Sequence, residues 1–188
     1  MEKGLVYIYA GDGRGKFPAA IGRAVQAAVE GRQVVIIQFL KGKGLQDSEF
    51  LRRMEPEIKL FRFEKSDENF EELPEERKQE EIRNIKNGLN FAKKVLSTGE
   101  CDLLILDEVL GLVEKGIVSP LHEFLPTKEE DIAEIAGELK VSVEELKAML
   151  DCREDTSVIL TGITLSDEIC LLADEISKIE TVKFKVWD

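Results

Sequence analysis

Short runs of consecutive apolar residues recur along the chain and predict buried β-strands. They cover residues 5–9, 34–39, 103–106 and 158–161, and β-branched side chains are frequent in them. Strands that are apolar on both faces are typical of a parallel sheet with helices on either side. Residues 58–63 alternate instead, as a half-buried strand does, and residues 182–187 predict a last strand.

An alanine-rich segment follows the first run and predicts a helix. It covers residues 19–30 and stops at Gly31, a residue that commonly ends helices. Its apolar side chains recur at helical spacing and define the face expected to pack on the sheet. That face consists of Ile21, Ala24, Val25 and Ala28.

A second, longer helix is predicted between Pro74 and Gly99. Proline is favoured in the first turn of a helix, because its missing N–H would have no partner there. The apolar positions at helical spacing are Ile82, Ile85, Leu89, Ala92 and Leu96. The acidic segment at residues 64–81 is interpreted as solvated surface.

Capping signals mark shorter helices in the last third of the chain. Thr127 with Glu130, and Ser142 with Glu145, have the spacing of capping boxes. They predict helices at residues 129–139 and 143–150. Residues 166–176 have the pattern of an amphipathic helix.

The alternation of strands and helices predicts the fold class. We expect an α/β protein whose mostly parallel sheet is flanked by helices. Residues 1–188 are read as a single domain, since 188 residues with 43% hydrophobic content are enough for one core. A helical insertion without catalytic groups is expected at about residues 120–140.

Composition excludes several functions. A net charge of −12 repels phosphate backbones, so nucleic acid is not an expected partner. No stretch approaches the roughly 20 apolar residues that cross a bilayer, and a cytoplasmic protein is expected. Three cysteines without a Cys-x-x-Cys pair, in a chain with one histidine, predict reduced thiols rather than a zinc site.

The glycine-rich turn after the first strand is the strongest chemical signal. Gly11, Gly13 and Gly15 precede Lys16 at the start of the predicted helix, which is the layout of a phosphate-binding loop. The alternative is a tight connection with no ligand. Asp107 and Glu108 follow a buried strand, where P-loop proteins keep the acid that handles Mg²⁺, and this favours the phosphate site.

The chain resembles the ATP:corrinoid adenosyltransferases, also called cob(I)alamin adenosyltransferases, and is accordingly expected to be P-loop NTPase-like. The resemblance depends on five motifs in the family's order. They are Gly11-Asp12-Gly13-Arg14-Gly15-Lys16, Gln38-Phe39-Leu40-Lys41-Gly42, Asn90-Phe91-Ala92-Lys93-Lys94, Leu106-Asp107-Glu108-Val109 and Leu160-Thr161-Gly162.

This resemblance implies transfer of the 5′-deoxyadenosyl group of ATP to the cobalt of a reduced corrinoid. The loop residues Gly11 to Lys16 would bind the triphosphate, with Lys16 and Glu108 as the catalytic residues. Asp107 and Glu108 would hold Mg²⁺. Further ligand contacts would come from Gln38, Phe39, Lys41 and Gly162. The resemblance also implies a homodimer, for which the sequence itself carries no signal.

Three departures from the family pattern fall on this chemistry. Phe17 replaces the threonine whose hydroxyl normally ligates Mg²⁺. Pro18 removes a backbone N–H and is expected to disfavour a helical conformation at residue 17. Ile163 stands where the family typically has arginine. Besides these three, Leu110 replaces a usual polar residue after the acidic pair. The loop is therefore interpreted as degenerate.

Three functions stay open at this point. The first is the adenosyltransferase with altered magnesium handling, which Lys16, Asp107 and Glu108 favour. The second is a non-catalytic corrinoid- or nucleotide-binding protein, which Phe17, Pro18 and Ile163 favour. An unrelated P-loop kinase is the third, and it leaves the Gln-Phe-x-Lys-Gly motif unexplained.

The resemblance and the strand pattern together make an architectural prediction. Tyr7, Ile36, Ile105 and Ile159 should lie on neighbouring parallel strands. The glycine loop and Asp107 should then meet at the edge where those strands end.

Overall fold

The computed structural model describes residues 3–40, 52–66, 73–113, 141–163 and 165–183. Within these ranges it forms an α/β fold in which strands and helices alternate. The elements are β1 Val6–Ala10, α1 Lys16–Val29, β2 Val34–Gln38, β3 Ile58–Arg62, α2 Glu75–Thr98, β4 Leu103–Asp107, a 3-10 helix Val109–Leu112, α3 Val143–Asp151, β5 Ser157–Gly162, α4 Asp167–Cys170 and β6 Glu175–Lys178. No helix in the described ranges is long and apolar enough to cross a membrane.

Six strands form one parallel sheet in the order β3-β2-β4-β5-β1-β6. Ile36 pairs with Ile105, Ile105 with Ile159, and Ile159 with Tyr7, so these four residues form one row across the sheet. The predicted arrangement of neighbouring strands is confirmed. All six strands end at the same edge, which we call the carboxyl edge.

Both faces of the sheet are covered, which explains why the central strands are apolar throughout. On one face, alternate strand residues such as Ile8, Ile37 and Leu106 pack with the inner side of α2. On the other face, Ile36 and Ile105 pack with α1. The parallel sheet predicted from the strand pattern is thus confirmed.

Helix α1 is buried along a stripe of small residues. Ala20, Ala24 and Ala27 are fully buried, whereas Val25 is 42% exposed. The predicted inner face is confirmed for Ala24, and Ile21 and Ala28 pack at its margin, but the prediction was wrong for Val25. Alanine leaves the backbone free to lie close to the sheet, and close packing outweighs the larger apolar area of Val25.

Helix α2 and the cap of α3 agree with their sequence signals. Pro74 directly precedes α2, and Gly99 ends it in the left-handed conformation at φ 63°. The capping box of Ser142 and Glu145 is present at the start of α3. The helix predicted at residues 129–139, with its cap at Thr127, lies outside the described residues, but Val113 and Val141 on either side of residues 114–140 pair with each other.

The carboxyl-terminal prediction was wrong. Residues 166–176 do not form one helix, because α4 ends at Cys170 and β6 begins at Glu175. Val182 and Lys183 are not in a strand, and residues 184–188 lie outside the described residues. The sequence of an edge strand mixes polar and apolar residues, as the sequence of an amphipathic helix does. Only the pairing of β6 with β1 shows that these residues form a strand.

Candidate functional site

The loop between β1 and α1 is packed so closely that it requires glycine. Gly11 has a φ of 126°, and a Cβ atom on Gly11 or Gly13 would lie 2.3 or 2.6 Å from the carbonyl oxygen of Ile179. The Gly13 N–H donates to that same oxygen at 3.1 Å, and the Gly11 N–H donates to the Gly162 oxygen at 3.1 Å. Strands β5 and β6 therefore fix the start of the loop from both sides.

Lys16 lies inside this loop at the first position of α1. It is 8% exposed, and its Nζ donates to the carbonyl oxygens of Gly11 at 2.7 Å and Gly13 at 3.2 Å. An ammonium group held within a glycine loop at a helix N-terminus combines three sources of positive potential. The glycine turn, Lys16 and the helix start thus lie together as the sequence predicted, and their binding of phosphate stays a prediction.

The outer part of the loop faces solvent. Asp12 and Arg14 are exposed. The Arg14 N–H donates to Thr181 Oγ1 at 3.1 Å, so the segment after β6 contacts the loop a second time. Sequence reasoning missed Ile179 and Thr181, because nothing in their local pattern indicates a position beside the glycine loop.

Phe17 and Pro18 lie within α1, so the expectation that Pro18 would keep residue 17 out of the helix was wrong. Proline is tolerated in the first helical turn, where its N–H would have no intrahelical partner. The first helical bond runs from the Ala19 N–H to the Gly15 oxygen at 2.9 Å. Phe17 is half-buried and packs against the core between α1 and the sheet.

Asp107 ends β4 and is fully buried. Its Oδ1 accepts the Thr161 hydroxyl at 2.7 Å, and its Oδ2 accepts Gln38 Nε2 at 3.1 Å. These partners come from the ends of β5 and β2, the strands on either side of β4. Thr161 was quoted in a motif but not predicted as a site residue, and its role depends on the sheet order.

Glu108 turns away from the strand. Its backbone is left-handed, with φ 60°, and its N–H donates to Thr161 Oγ1 at 2.8 Å. Gly162 follows Thr161, and a Cβ atom there would lie 2.5 Å from the Cβ of Leu110. Close packing of the turn after β4 on the end of β5 explains both Gly162 and the buried Leu110.

Side-chain oxygen atoms of the kind that bind Mg²⁺ lie at the carboxyl edge. Gln38 is 3% exposed, and its Oε1 is buried without a hydrogen-bond partner, although Nε2 binds Asp107. A buried unpartnered acceptor is costly unless a ligand or water satisfies it. Within the described ranges no three His, Cys, Asp or Glu residues gather as a metal site. Binding of Mg²⁺ by Asp107 and Glu108 therefore stays a prediction, to which the structure adds Gln38 Oε1 as a further candidate oxygen.

Phe39 continues from Gln38 into an apolar region. It is buried, and its N–H donates to the Asp107 carbonyl oxygen at 2.9 Å. A Cβ atom on Gly88 of α2 would lie 2.9 Å from Phe39 Cε1. Lys41 lies outside the described residues, so its expected ligand contact stays a prediction, and Gly88 was missed although a glycine inside a helix often marks close packing.

The acidic segment at residues 64–81 was predicted to be solvated surface. This prediction is wrong for the residues at its two ends. Glu81 is 5% exposed and accepts the N–H groups of Lys65 and Ser66. Glu64 is also largely buried, and its Oε1 accepts the Leu40 N–H at 2.6 Å. The two carboxylates at the ends of the charge run are therefore structural, and only the residues between them have the composition of a surface.

The fold and the family are both recognisable in known proteins. A KaiC-like protein, PH0186 from Pyrococcus horikoshii OT3, has a similar fold, with a TM-score of 0.50 and 15% identity over 98% of this chain and 76% of that one. Corrinoid adenosyltransferases from Escherichia coli K12 and Salmonella typhimurium LT2 are 25% identical over 97% of this chain and 79% of their own lengths.

The sequence profile of one family matches most of the chain. It is described as ATP:corrinoid adenosyltransferase BtuR/CobO/CobP, and it matches residues 2–137. That range contains the glycine loop, the Gln38 and Phe39 end of β2, and the acidic pair after β4. The chain belongs to the ATP:corrinoid adenosyltransferase family.

Proposed function

We propose that this protein transfers the 5′-deoxyadenosyl group of ATP to the cobalt of a reduced corrinoid. In that reaction cobalt attacks C5′ of ATP, the C5′–O bond breaks, and the electron pair leaves with triphosphate. The nucleophile belongs to the substrate, so the protein needs no serine or histidine to act as one. The observation that carries the proposal is Lys16 inside its glycine loop, on the same sheet edge as the Asp107, Gln38 and Thr161 network.

The chain's own residues would bind and orient the nucleotide. The ammonium group of Lys16 and the N-terminus of α1 attract the triphosphate and stabilise the charge that grows on it as it leaves. Mg²⁺, when bound, would neutralise part of that charge. Asp107 and Gln38 Oε1 would hold it, and the Thr161 hydroxyl keeps the Asp107 carboxylate in one orientation.

The spacing of the strands gives room for two substrates. The glycine loop follows β1 and Phe39 follows β2. The ends of β5 and β4 lie between them, since the strand order is β2-β4-β5-β1. Three strand intervals correspond to roughly 14 Å, close to the length of a nucleotide. With triphosphate at Lys16, the adenosyl group would extend along the carboxyl edge toward the ends of β4 and β2, and the corrinoid would bind beyond it.

A second candidate is a binding protein that has lost magnesium-dependent chemistry. Phe17 offers no hydroxyl where Mg²⁺ would need one, and Ile163, at the end of β5, is 43% exposed and uncharged. Both changes weaken the site for a highly charged triphosphate. Gln38 Oε1, Asp107 and Lys16 remain, and they favour the enzyme.

The experiment that separates these functions measures ATP binding and turnover. Calorimetry with ATP, with and without Mg²⁺, gives affinity, and the absorption spectrum of chemically reduced hydroxocobalamin gives adenosyl transfer. Lys16→Gln should weaken ATP binding by about ten- to a hundredfold, since charge-assisted hydrogen bonds contribute about 1.5–3 kcal/mol. Lys93→Gln, on the exposed side of α2, is the matched control. Absence of both binding and transfer in the parent protein would contradict the proposal.

A further inference from the structure

The residue after Phe39 is held in an unfavourable conformation. Leu40 has a φ of 53°, in the left-handed region that costs a leucine roughly 1–2 kcal/mol. Its side chain packs over the turn after β4, because a Cβ atom on Gly111 would lie 2.8 Å from Leu40 Cδ1. Leu40 therefore contacts the 3-10 helix that follows β4, beside the Asp107 network.

One carboxylate holds this turn. Glu64, two residues after β3, accepts the Leu40 N–H through Oε1 at 2.6 Å. A hydrogen bond from a backbone N–H to a carboxylate is about twice as strong as one between neutral groups. It is of the size needed to offset the strain at Leu40.

The environment of Glu64 disfavours the ionised form of its carboxyl group. Its Oε2 is buried and has no hydrogen-bond partner. Burial raises the pKa of Glu64 to about 7, Arg62 on β3 opposes the increase, and Glu81 on α2 adds to it. A buried carboxylate with an unpartnered oxygen is costly, so filling the core alone does not account for glutamate at this position.

Glu64 itself is fixed by its neighbours. Lys65 and Ser66, the two residues after Glu64, donate their N–H groups to the Glu81 carboxylate on α2. These hydrogen bonds anchor the segment to α2. Glycine at position 88, two turns along the same helix, packs against Phe39 and Phe63. Helix α2 thus sets the positions of both Glu64 and the Phe39 side chain.

We infer that Glu64 is a positioning residue, which holds the Leu40 turn, and with it the Gln38 and Phe39 end of β2, in the geometry that binds the corrinoid. The inference rests on the proposed function for the identity of the ligand. Glu64 does not touch the reacting atoms. It acts through Leu40, and its contribution falls on the corrinoid side of the edge rather than on the distant glycine loop.

Two variants separate the hydrogen bond from the charge. Glu64→Gln keeps an acceptor for the Leu40 N–H and removes the ionisation, whereas Glu64→Leu removes the acceptor and fills the same space. Glu57→Gln, on the exposed turn before β3, is the matched control. Each protein is compared by the NMR resonance of the Leu40 amide between pH 5.5 and 8.5, by the affinity for hydroxocobalamin, and by the affinity for ATP.

The expected results are specific to the Leu40 turn. In the parent protein the Leu40 amide resonance titrates with a midpoint near 7, and Glu64→Gln abolishes that titration. Glu64→Leu weakens hydroxocobalamin binding by about tenfold or more, the effect of losing one charge-assisted hydrogen bond, and leaves ATP affinity within about twofold. Glu64→Gln retains most of the affinity.

Other results would overturn the inference. A Leu40 amide that does not titrate and does not respond to Glu64→Leu shows that Glu64 does not hold the turn, whatever ligand binds. A responsive Leu40 amide with unchanged hydroxocobalamin affinity shows that the turn is not part of the binding geometry. If the parent protein binds neither ligand but its Leu40 amide titrates, the proposed function fails while the hold of Glu64 on the turn is upheld.

Discussion

Thr161 and Asp107 are joined by a hydrogen bond of 2.7 Å between the threonine hydroxyl and Asp107 Oδ1, across the ends of β5 and β4. The same hydroxyl oxygen accepts the Glu108 N–H at 2.8 Å. One side chain therefore orients the carboxylate of Asp107 and the backbone of Glu108 together. All of these atoms are buried or nearly so. Water therefore cannot readily replace the hydroxyl in these hydrogen bonds.

Substitution of Thr161 should reduce stability and magnesium-dependent binding together. Thr161→Val removes the hydroxyl that donates to Asp107 Oδ1 and accepts the Glu108 N–H, and the free energy of unfolding should fall by about 2–4 kcal/mol. Thr161→Ser keeps the hydroxyl and should lose far less. Urea denaturation measures the difference. The control is Thr98→Val at the exposed end of α2, where the hydroxyl donates to the carbonyl oxygens of Lys94 and Val95, and it should change stability by less than about 0.5 kcal/mol.

Phe17 and Pro18 should differ in their effect on the Mg²⁺-dependent affinity for ATP. Replacing both by threonine should strengthen Mg²⁺-dependent ATP binding, because a hydroxyl ligand is restored. Phe17→Thr alone should give most of the gain. Pro18→Thr alone should give little, since Pro18 already fits the first turn of α1. Calorimetry with and without Mg²⁺ measures each variant, and tight binding by the parent that no variant improves would show that other oxygens hold the metal.

Two glycines in helices offer an internally controlled test of Phe39. Gly88→Ala places a methyl group 2.9 Å from Phe39 Cε1, so the ring must move and hydroxocobalamin affinity should fall. Gly22→Ala on α1 meets nothing within 4 Å and should stabilise the protein by about 0.5–1 kcal/mol. Thermal unfolding should therefore show a gain for Gly22→Ala with unchanged ligand affinity, and hydroxocobalamin affinity should fall only in Gly88→Ala. Equal affinity of the two variants would contradict the packing argument.

Glu64 should make stability depend on pH in an unusual direction. Its pKa is raised from the usual value of 4.5 to about 7 in the folded protein. Between these values the folded state holds a proton that the unfolded state has released, so the free energy of unfolding falls as pH rises. The total is roughly 3 kcal/mol, and it is complete above pH 7.

The measurement is the difference between Glu64→Gln and the parent protein. The amide cannot ionise, so the variant should gain stability relative to the parent as pH increases from 5 to 8. Glu57→Gln should show no such trend, because Glu57 is exposed. A constant difference across this range would mean that Glu64 is not held at a raised pKa.

Much of the fold was predictable because its signals are local. Consecutive apolar residues indicated the central strands, and Gly99 and Ser142 indicated helix ends through their own backbone preferences. The edge strand β6 was not predictable, since its residues look amphipathic and only pairing with β1 makes them a strand. Likewise Val25 was wrongly assigned to the inner face of α1, because the closeness of the sheet, not hydrophobicity, selected Ala27 over Val25.

The candidate site divides in the same way. The sequence by itself determined the glycine loop, Lys16 and the acidic pair, because a phosphate site needs those residue types in consecutive positions. Tertiary structure alone decided that Thr161 and Gln38 meet on Asp107, and that Glu64 holds Leu40, since these partners are 24 to 69 residues apart in the chain. Contacts across a sheet edge follow from strand order, which no local pattern contains.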